Sequence, residues 1–84
     1  FNTAEGYAGM GREAYAPTVF EQLELKYVGS GPYACFLTLD KFLCKNVVMA
    51  KGVPAPNGYF ISSSQEVDLI AKELNYPVFV KPNF

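Results

Sequence analysis

The chain has 84 residues, enough for one small domain, and its 50% apolar content predicts a folded protein with a core. Seven basic and eight acidic residues give a net charge of −1, which excludes the broad basic surface of a nucleic-acid-binding or membrane-surface protein. Because histidine is absent, mechanisms that need an imidazole base or metal ligand from these residues are excluded as well.

The first predicted helix lies within residues 12–25, after a glycine-rich opening loop. Pro17 falls inside this stretch, and a proline in a helix interior costs about 3 kcal/mol. Either the regular helix begins near Ala16, with Pro17 at its first position, or it is kinked at Pro17, and we expect the late start. The short apolar stretch at residues 27–29 then predicts a strand.

A long helix over residues 33–51 is the best-defined predicted element. Its apolar residues recur every three or four positions, and Gly52 follows where a left-handed C-terminal cap belongs. Cys35 and Cys44 would lie on opposite faces of this helix, so we expect them to stay unpaired. Two unpaired thiols favour a reducing compartment, and no apolar run approaches the roughly 20 residues of a membrane span. The sequence therefore predicts a cytoplasmic protein.

The last third of the chain predicts an alternation of strand and helix. Pro54 and Pro56 hold an extended connection, residues 59–61 are a predicted strand, and residues 65–74 are a helix that a preceding serine can cap. Residues 77–81 form a continuous apolar run typical of a buried strand, which ends at Lys81. The predicted fold class is therefore α/β, and the composition change at residues 29–32 predicts a domain boundary.

Four short blocks carry a resemblance to a known family. They are Tyr27-Val28-Gly29-Ser30-Gly31-Pro32, Leu39-Asp40-Lys41, Gly52-Val53-Pro54-Ala55-Pro56 and Asn75-Tyr76-Pro77-Val78-Phe79-Val80-Lys81-Pro82. Their order and spacing resemble those of ATP-grasp enzymes, and the first block narrows the resemblance to the D-alanine–D-alanine ligase branch.

The resemblance implies that the chain is a fragment of an ATP-grasp fold. Residues 1–31 would be the C-terminal part of a Rossmann-like substrate domain, and residues 32–84 the truncated first part of the ATP-binding domain, with a helix-strand-helix-strand order. The family's glycine- and serine-rich phosphate loop, adenine-contacting segment and magnesium ligands have no match in these residues. We therefore expect no ATP turnover from the 84-residue chain alone.

The resemblance also implies that Lys41 and Lys81 contact the phosphates of ATP. The plain interpretation of each lysine is a solvated surface charge. In the family, the matching lysines approach the phosphates from a helix and from a strand, where ammonium groups stabilise the phosphoryl group during transfer. No catalytic residue is assigned within the chain, and Mg²⁺ is expected to be bound by residues outside it.

The reaction that the resemblance implies for the whole enzyme is ATP-dependent joining of two D-alanines for peptidoglycan synthesis. ATP would phosphorylate one D-alanine carboxylate, and the amine of a second D-alanine would attack the acyl phosphate. Ala4-Glu5-Gly6 departs from the histidine-glycine block of many such ligases, which leaves the substrate open. Another ATP-grasp ligase or carboxylase and a non-catalytic α/β interaction module are the alternatives. Glu5 and Glu13 are interpreted as ordinary charges, and a homodimer is one option for the whole enzyme.

Overall fold

The computed structural model describes residues 1–84 and contains four α-helices. They are α1 (Arg12–Gln22), α2 (Pro32–Leu39), α3 (Lys41–Ala50) and α4 (Ser64–Ile70). No residue lies in a β-strand, so the predicted α/β fold class is wrong.

The three predicted strands, at residues 27–29, 59–61 and 77–81, are non-helical segments that do not pair with one another. No backbone hydrogen bond joins any two of them, and the Val28 carbonyl instead accepts from the Asn2 N–H at 3.1 Å. Strand propensity is a local property, whereas a strand exists only when a neighbouring segment completes its ladder of backbone hydrogen bonds. The apolar pattern therefore did not suffice to predict a sheet.

Helix α1 begins at Arg12, so Pro17 lies inside the helix, and the predicted late start near Ala16 is wrong. A proline at this position has no N–H to donate to the carbonyl of Glu13, four residues earlier. Burial opposes this loss, because Pro17 is fully buried and Ala14 and Ala16 are buried beside it. Packing thus overrides the local preference.

The long helix predicted over residues 33–51 is broken at Asp40 into α2 and α3. Asp40 has an extended backbone with φ −79° and ψ 94°, and its side chain accepts a hydrogen bond from the Leu43 N–H at 2.9 Å. This is the geometry of a helix N-cap. Cys35 and Cys44 therefore lie on different helices, and both thiols are free. Their unpaired state is confirmed, although the single helix from which it was inferred is wrong.

Helix α3 ends in a left-handed cap at Gly52, as predicted. Gly52 has φ +79°, and its N–H donates to the Met49 carbonyl at 2.9 Å. The Val53 N–H donates to the Val48 carbonyl at 3.1 Å. These two bonds form the Schellman motif, which satisfies carbonyls that the helix leaves free at its end.

The end of α1 uses the same motif with a glutamate at the left-handed position. Glu24 has φ +54° and donates its N–H to the Glu21 carbonyl at 3.1 Å, while the Leu25 N–H donates to the Phe20 carbonyl at 2.9 Å. A residue with a Cβ is strained in this conformation, where glycine is not. With this motif, helix α1 ends at Gln22, three residues before the predicted end at residue 25.

Helix α4 is shorter than the predicted helix over residues 65–74, and no serine side chain caps it. Ser63 occupies the N-cap position without a side-chain capping bond. Instead, the Glu66 carboxylate reaches back and accepts from the Ser62 N–H at 2.9 Å and from the Ser62 hydroxyl at 3.1 Å. These bonds, the backbone one first, lower the pKa of Glu66.

The buried core is small and lies on α1 and α2, which pack against each other. Helix α3 packs on α2, and α4 packs on no other helix. The Cα radius of gyration is 16.4 Å, whereas a compact chain of this length would have about 12 Å. None of the four helices combines the length and apolarity that a membrane span requires. Much of the apolar surface is therefore exposed, including Phe79 and Val80, with 98% and 95% exposed.

Candidate functional site

The start of α3 and the end of the chain meet through four hydrogen bonds to one residue, Asn83. The Asn83 carbonyl accepts from the Lys41 N–H at 3.2 Å and from Lys41 Nζ at 3.1 Å. The Asn83 side chain accepts from the Phe42 N–H at 2.8 Å through Oδ1 and donates to Asp40 Oδ1 at 2.8 Å through Nδ2. We call Asp40, Lys41, Phe42 and Asn83 the Asn83 clamp.

The clamp satisfies backbone groups that a helix start leaves without partners. The first N–H groups of a helix have no carbonyl to bond to within the helix. In α3 the Leu43 N–H is taken by Asp40, and the N–H groups of Lys41 and Phe42 are taken by Asn83. The N–H groups at the start of α3 therefore have acceptors from two parts of the sequence. Asp40 directly precedes the helix, and Asn83 lies more than 40 residues later.

The Asp40 carboxylate is held in its charged form by the donors around it. Its pKa is lowered by the hydrogen bond from the Leu43 N–H, then by that from the Asn83 side chain, with smaller contributions from Phe42 and the charge of Lys41, while desolvation acts in the opposite direction. Donors that favour the ionised form lower a carboxyl pKa. A negative charge thus lies beside the Lys41 ammonium group.

The Lys41 side chain is half-buried and fixed by a neutral partner. A lysine ammonium has three N–H donors, and the bond to the Asn83 carbonyl uses one of them. Because a carbonyl carries no net charge, this bond positions the ammonium group without neutralising it. Two of its donors make no hydrogen bond within the chain, so they can donate to an anionic ligand.

Lys81 is exposed and lies two residues before Asn83, so the structure brings its segment to the start of α3. Two residues span at most about 7 Å, which bounds the separation of the Lys81 and Asn83 Cα atoms. Lys41 thus belongs to the clamp, and Lys81 lies two residues before Asn83, which is also part of it. Their contact with ATP stays a prediction.

A shallow pocket of about 270 Å³ opens beside the clamp. It is lined by Asp40, Phe42, Leu43, Asn46, Phe60, Asn83 and Phe84. The rings of Phe42 and Phe60 lie 5.7 Å apart at an angle of 39°. Neither predicted lysine lines this pocket, which is smaller than the usual range for small-molecule sites. The candidate site is therefore the surface at the Asn83 clamp that carries Lys41 and Lys81, rather than the pocket.

Sequence reasoning missed Asn83 and the capping role of Asp40. Aspartate is a favoured N-cap residue, so Asp40 within a helical pattern was a signal for a helix break. Asn83 offers no such signal, because its partners lie more than 40 positions away. Glu13 lies in the first turn of α1, and Glu5 lies in the exposed opening loop. Neither glutamate belongs to the clamp.

Comparisons with curated proteins give relatives over nearly the whole chain. The chain is 34% identical over 77 residues, 92% of its length, to a D-alanine–D-alanine ligase of Marinomonas sp. (strain MWYL1). It is 35% identical over 85 residues, 99% of its length, to a D-alanine–D-alanine ligase of Haemophilus ducreyi. The chain is D-alanine–D-alanine ligase-like. The resemblance to D-alanine–D-alanine ligases inferred from the four blocks is thereby confirmed.

This D-alanine–D-alanine ligase-like chain spans 24% of the length of the Marinomonas relative and 27% of that of the Haemophilus relative. It is also 37% identical over 82 residues, 98% of its length, to the uncharacterized protein y4sG of Sinorhizobium fredii, of which it spans 24%. No family model matches the chain. No solved structure matches it either.

Proposed function

We propose that Lys41 and Lys81 bind the phosphates of ATP in an ATP-dependent carboxylate-amine ligase of the ATP-grasp type. The proposed reaction joins two D-alanines during synthesis of a cell-wall precursor. The D-alanine–D-alanine ligase relatives support the reaction class. The observation that carries the site is the Asn83 clamp, because it ties the segment of Lys81 to the start of α3, where Lys41 lies.

Phosphate recognition at this site would depend on side-chain charge rather than on the helix N-terminus. The first three N–H groups of α3 already donate to Asn83 and Asp40, so they do not face a ligand. Lysine ammonium groups are compact positive charges that suit phosphate oxygens. Lys41 brings a fixed ammonium group and Lys81 an exposed one.

ATP supplies the phosphoryl group that converts a carboxylate into a reactive acyl phosphate. The contribution of Lys41 and Lys81 is to bind the triphosphate, orient it and neutralise part of its charge. No three Asp, Glu, His or Cys side chains converge anywhere in the structure. The proposal therefore assigns no residue of this chain to Mg²⁺ and leaves the expected magnesium ligands outside it.

The test is a titration of the 84-residue chain with inorganic tripolyphosphate, followed by amide NMR shifts. Lys41→Met and Lys81→Met should each weaken binding about three- to tenfold, as loss of one charge-assisted contact does. The double variant should abolish detectable binding. Lys72→Met removes the same charge from an exposed lysine after α4 and serves as the matched control.

Two results would contradict the phosphate site. Equal weakening by Lys72→Met would show a general charge effect, and unchanged binding in the double variant would show that neither lysine contacts phosphate. Adenosine provides a second probe, since it lacks phosphates and its shifts should be the same in the parent chain and in both lysine variants.

A second candidate is ligation of a different carboxylate and amine with the same phosphate contacts. It is favoured by the departure from the histidine-glycine block at Ala4-Glu5-Gly6. A titration with D-alanine and with other amino acids separates the two, because only the first candidate expects shifts at residues 4–6 that are specific to D-alanine. The division at residue 31, the cytoplasmic location and the homodimer stay predictions.

A further inference from the structure

Asn83 concentrates the long-range hydrogen bonding of the chain. Its side chain makes two hydrogen bonds and its backbone carbonyl accepts two more, all with residues 41 to 43 positions away. The other side-chain bonds between distant segments are single ones, from Lys45 Nζ to the Gly58 carbonyl and from the Tyr59 hydroxyl to Glu73. The end of the chain is thus attached to α3 by one residue.

The chemistry of the contact requires an amide side chain. The Phe42 N–H needs an acceptor and Asp40 Oδ1 needs a donor, and both lie within 2.8 Å of the Asn83 side chain. Asparagine offers an acceptor and a donor at adjacent positions, whereas an ionised aspartate offers acceptors alone and serine has one short hydroxyl. The partners also fix the orientation of the amide, since the flipped form would oppose two donors and two acceptors.

The same residue restricts the Lys41 side chain. A free lysine samples many rotamers, and binding a ligand immobilises them at an entropic cost. The bond from Lys41 Nζ to the Asn83 carbonyl at 3.1 Å already restricts them. The position of the ammonium group is thereby restricted before a ligand binds. Lys81 and Pro82 directly precede Asn83, so they also lie near the start of α3.

From these contacts we infer that Asn83 is a positioning residue, which holds Lys41 and the segment of Lys81 together for phosphate binding. The inference rests on the proposed phosphate contacts of the two lysines and adds a residue that touches neither phosphate nor substrate. Asn83 acts through Lys41, by orienting its ammonium group, and through the start of α3, by completing the hydrogen bonds of Phe42 and Asp40.

The test repeats the tripolyphosphate titration with a graded series at position 83. Asn83→Ala keeps the backbone carbonyl that accepts from Lys41 but removes the two side-chain bonds that hold this carbonyl at the start of α3, and should weaken binding about three- to tenfold. Asn83→Ser, whose hydroxyl can replace one of the two bonds, should give an intermediate loss. Asn57→Ala, at an exposed asparagine in the connection after α3, is the matched control and should bind as the parent chain does.

A double-mutant cycle with Lys41→Met distinguishes positioning from a general structural role. If Asn83 acts through Lys41, Asn83→Ala should cause a smaller further loss in the Lys41→Met background than in the parent chain, because contacting residues are not additive, and the remaining loss would come from Lys81. An equal loss in both backgrounds would overturn the inference. So would unchanged binding in the Asn83→Ala and Asn83→Ser variants while the lysine variants weaken it. Unchanged binding in the lysine variants would instead overturn the proposed phosphate site.

A readout without ligand completes the test. The Asn83 side chain is the second-largest cause of the lowered pKa of Asp40, after the Leu43 N–H. In Asn83→Ala the pKa of Asp40, followed by the ¹³Cγ shift, should therefore rise toward its ordinary value while staying below it. This measurement also covers the case in which Asn83→Ala loosens α3, since Asn83→Ser should then give a smaller rise. An unchanged Asp40 titration in both variants would contradict the contact itself.

Discussion

Helix α1 has 11 residues and α3 has 10, and the two helices are held in place by different interactions. In α1, Ala14, Ala16 and Pro17 are buried, while the helix start has no side-chain cap and the left-handed position after its end is a glutamate. No residue of α3 is buried, and its ends are completed by Asp40, Asn83 and Gly52.

The comparison shows which kind of interaction positions the candidate site. In α1, the stabilisation from burial outweighs the cost of an interior proline, a residue that disfavours helix on local grounds. The start of α3 depends instead on polar contacts that pair each exposed backbone group. The placement of Lys41 should therefore be sensitive to changes in the Asn83 clamp and less sensitive to changes in the core.

Removal of a core side chain should have the largest effect on stability. Leu39, 5% exposed at the end of α2, is the largest buried aliphatic residue, and Leu39→Ala should destabilise the chain by about 2–4 kcal/mol. For so small a core, this would abolish most of the helical circular dichroism at 25 °C. Leu43→Ala, at a residue of α3 that is 44% exposed, is the matched control and should cost less than about half as much. Equal losses would show that α3 is also stabilised by burial.

Protonation of Asp40 should have an intermediate effect, confined to the start of α3. Its pKa in the folded chain lies below the ordinary value of 3.8, so the unfolded chain binds the proton more readily. Asp40 therefore contributes stability above about pH 4, and that contribution is lost as the pH falls through the lowered pKa. We expect a lower protection factor for the Leu43 amide in acid, after correction for the intrinsic pH dependence of exchange, because its acceptor becomes weaker.

Asp40→Asn is the control for this acid dependence. The asparagine oxygen keeps an acceptor for the Leu43 N–H but cannot titrate. Glu66 also has a lowered pKa and titrates in both proteins, so the difference between them isolates Asp40. If urea midpoints of the two proteins fall in parallel below pH 4, the cap would not depend on the charge of Asp40.

Local sequence patterns predicted part of the fold, and they failed where the structure depends on contacts between residues far apart in the sequence. The cap at Gly52 was predicted because it needs only a glycine after an apolar period. The start of α1 was mispredicted because the local cost of Pro17 was counted without its burial. The predicted strands failed because a ladder needs a second segment, and none lies in register with them.

The candidate site shows the same division. The blocks around Lys41 and Lys81 were readable because they are continuous in sequence. The break at Asp40 was hidden by an apolar periodicity that runs through it from α2 into α3, although the residue type indicated a cap. Asn83 could not be predicted, since its role depends on the placement of a helix start 42 residues earlier.

Single substitutions at the two left-handed caps should have the smallest effects on the free energy of unfolding, with opposite signs at α1 and α3. Glu24→Gly should stabilise the chain by about 0.5–1 kcal/mol, because glycine adopts φ +54° without a steric cost. Gly52→Ala should destabilise it by about 1 kcal/mol; a Cβ there meets no atom within 4 Å, so the cost is purely conformational. Urea unfolding followed by helical circular dichroism measures both. If Glu24→Gly were destabilising, the glutamate side chain would contribute contacts that exceed its backbone strain, and the end of α1 would depend on polar contacts as the start of α3 does.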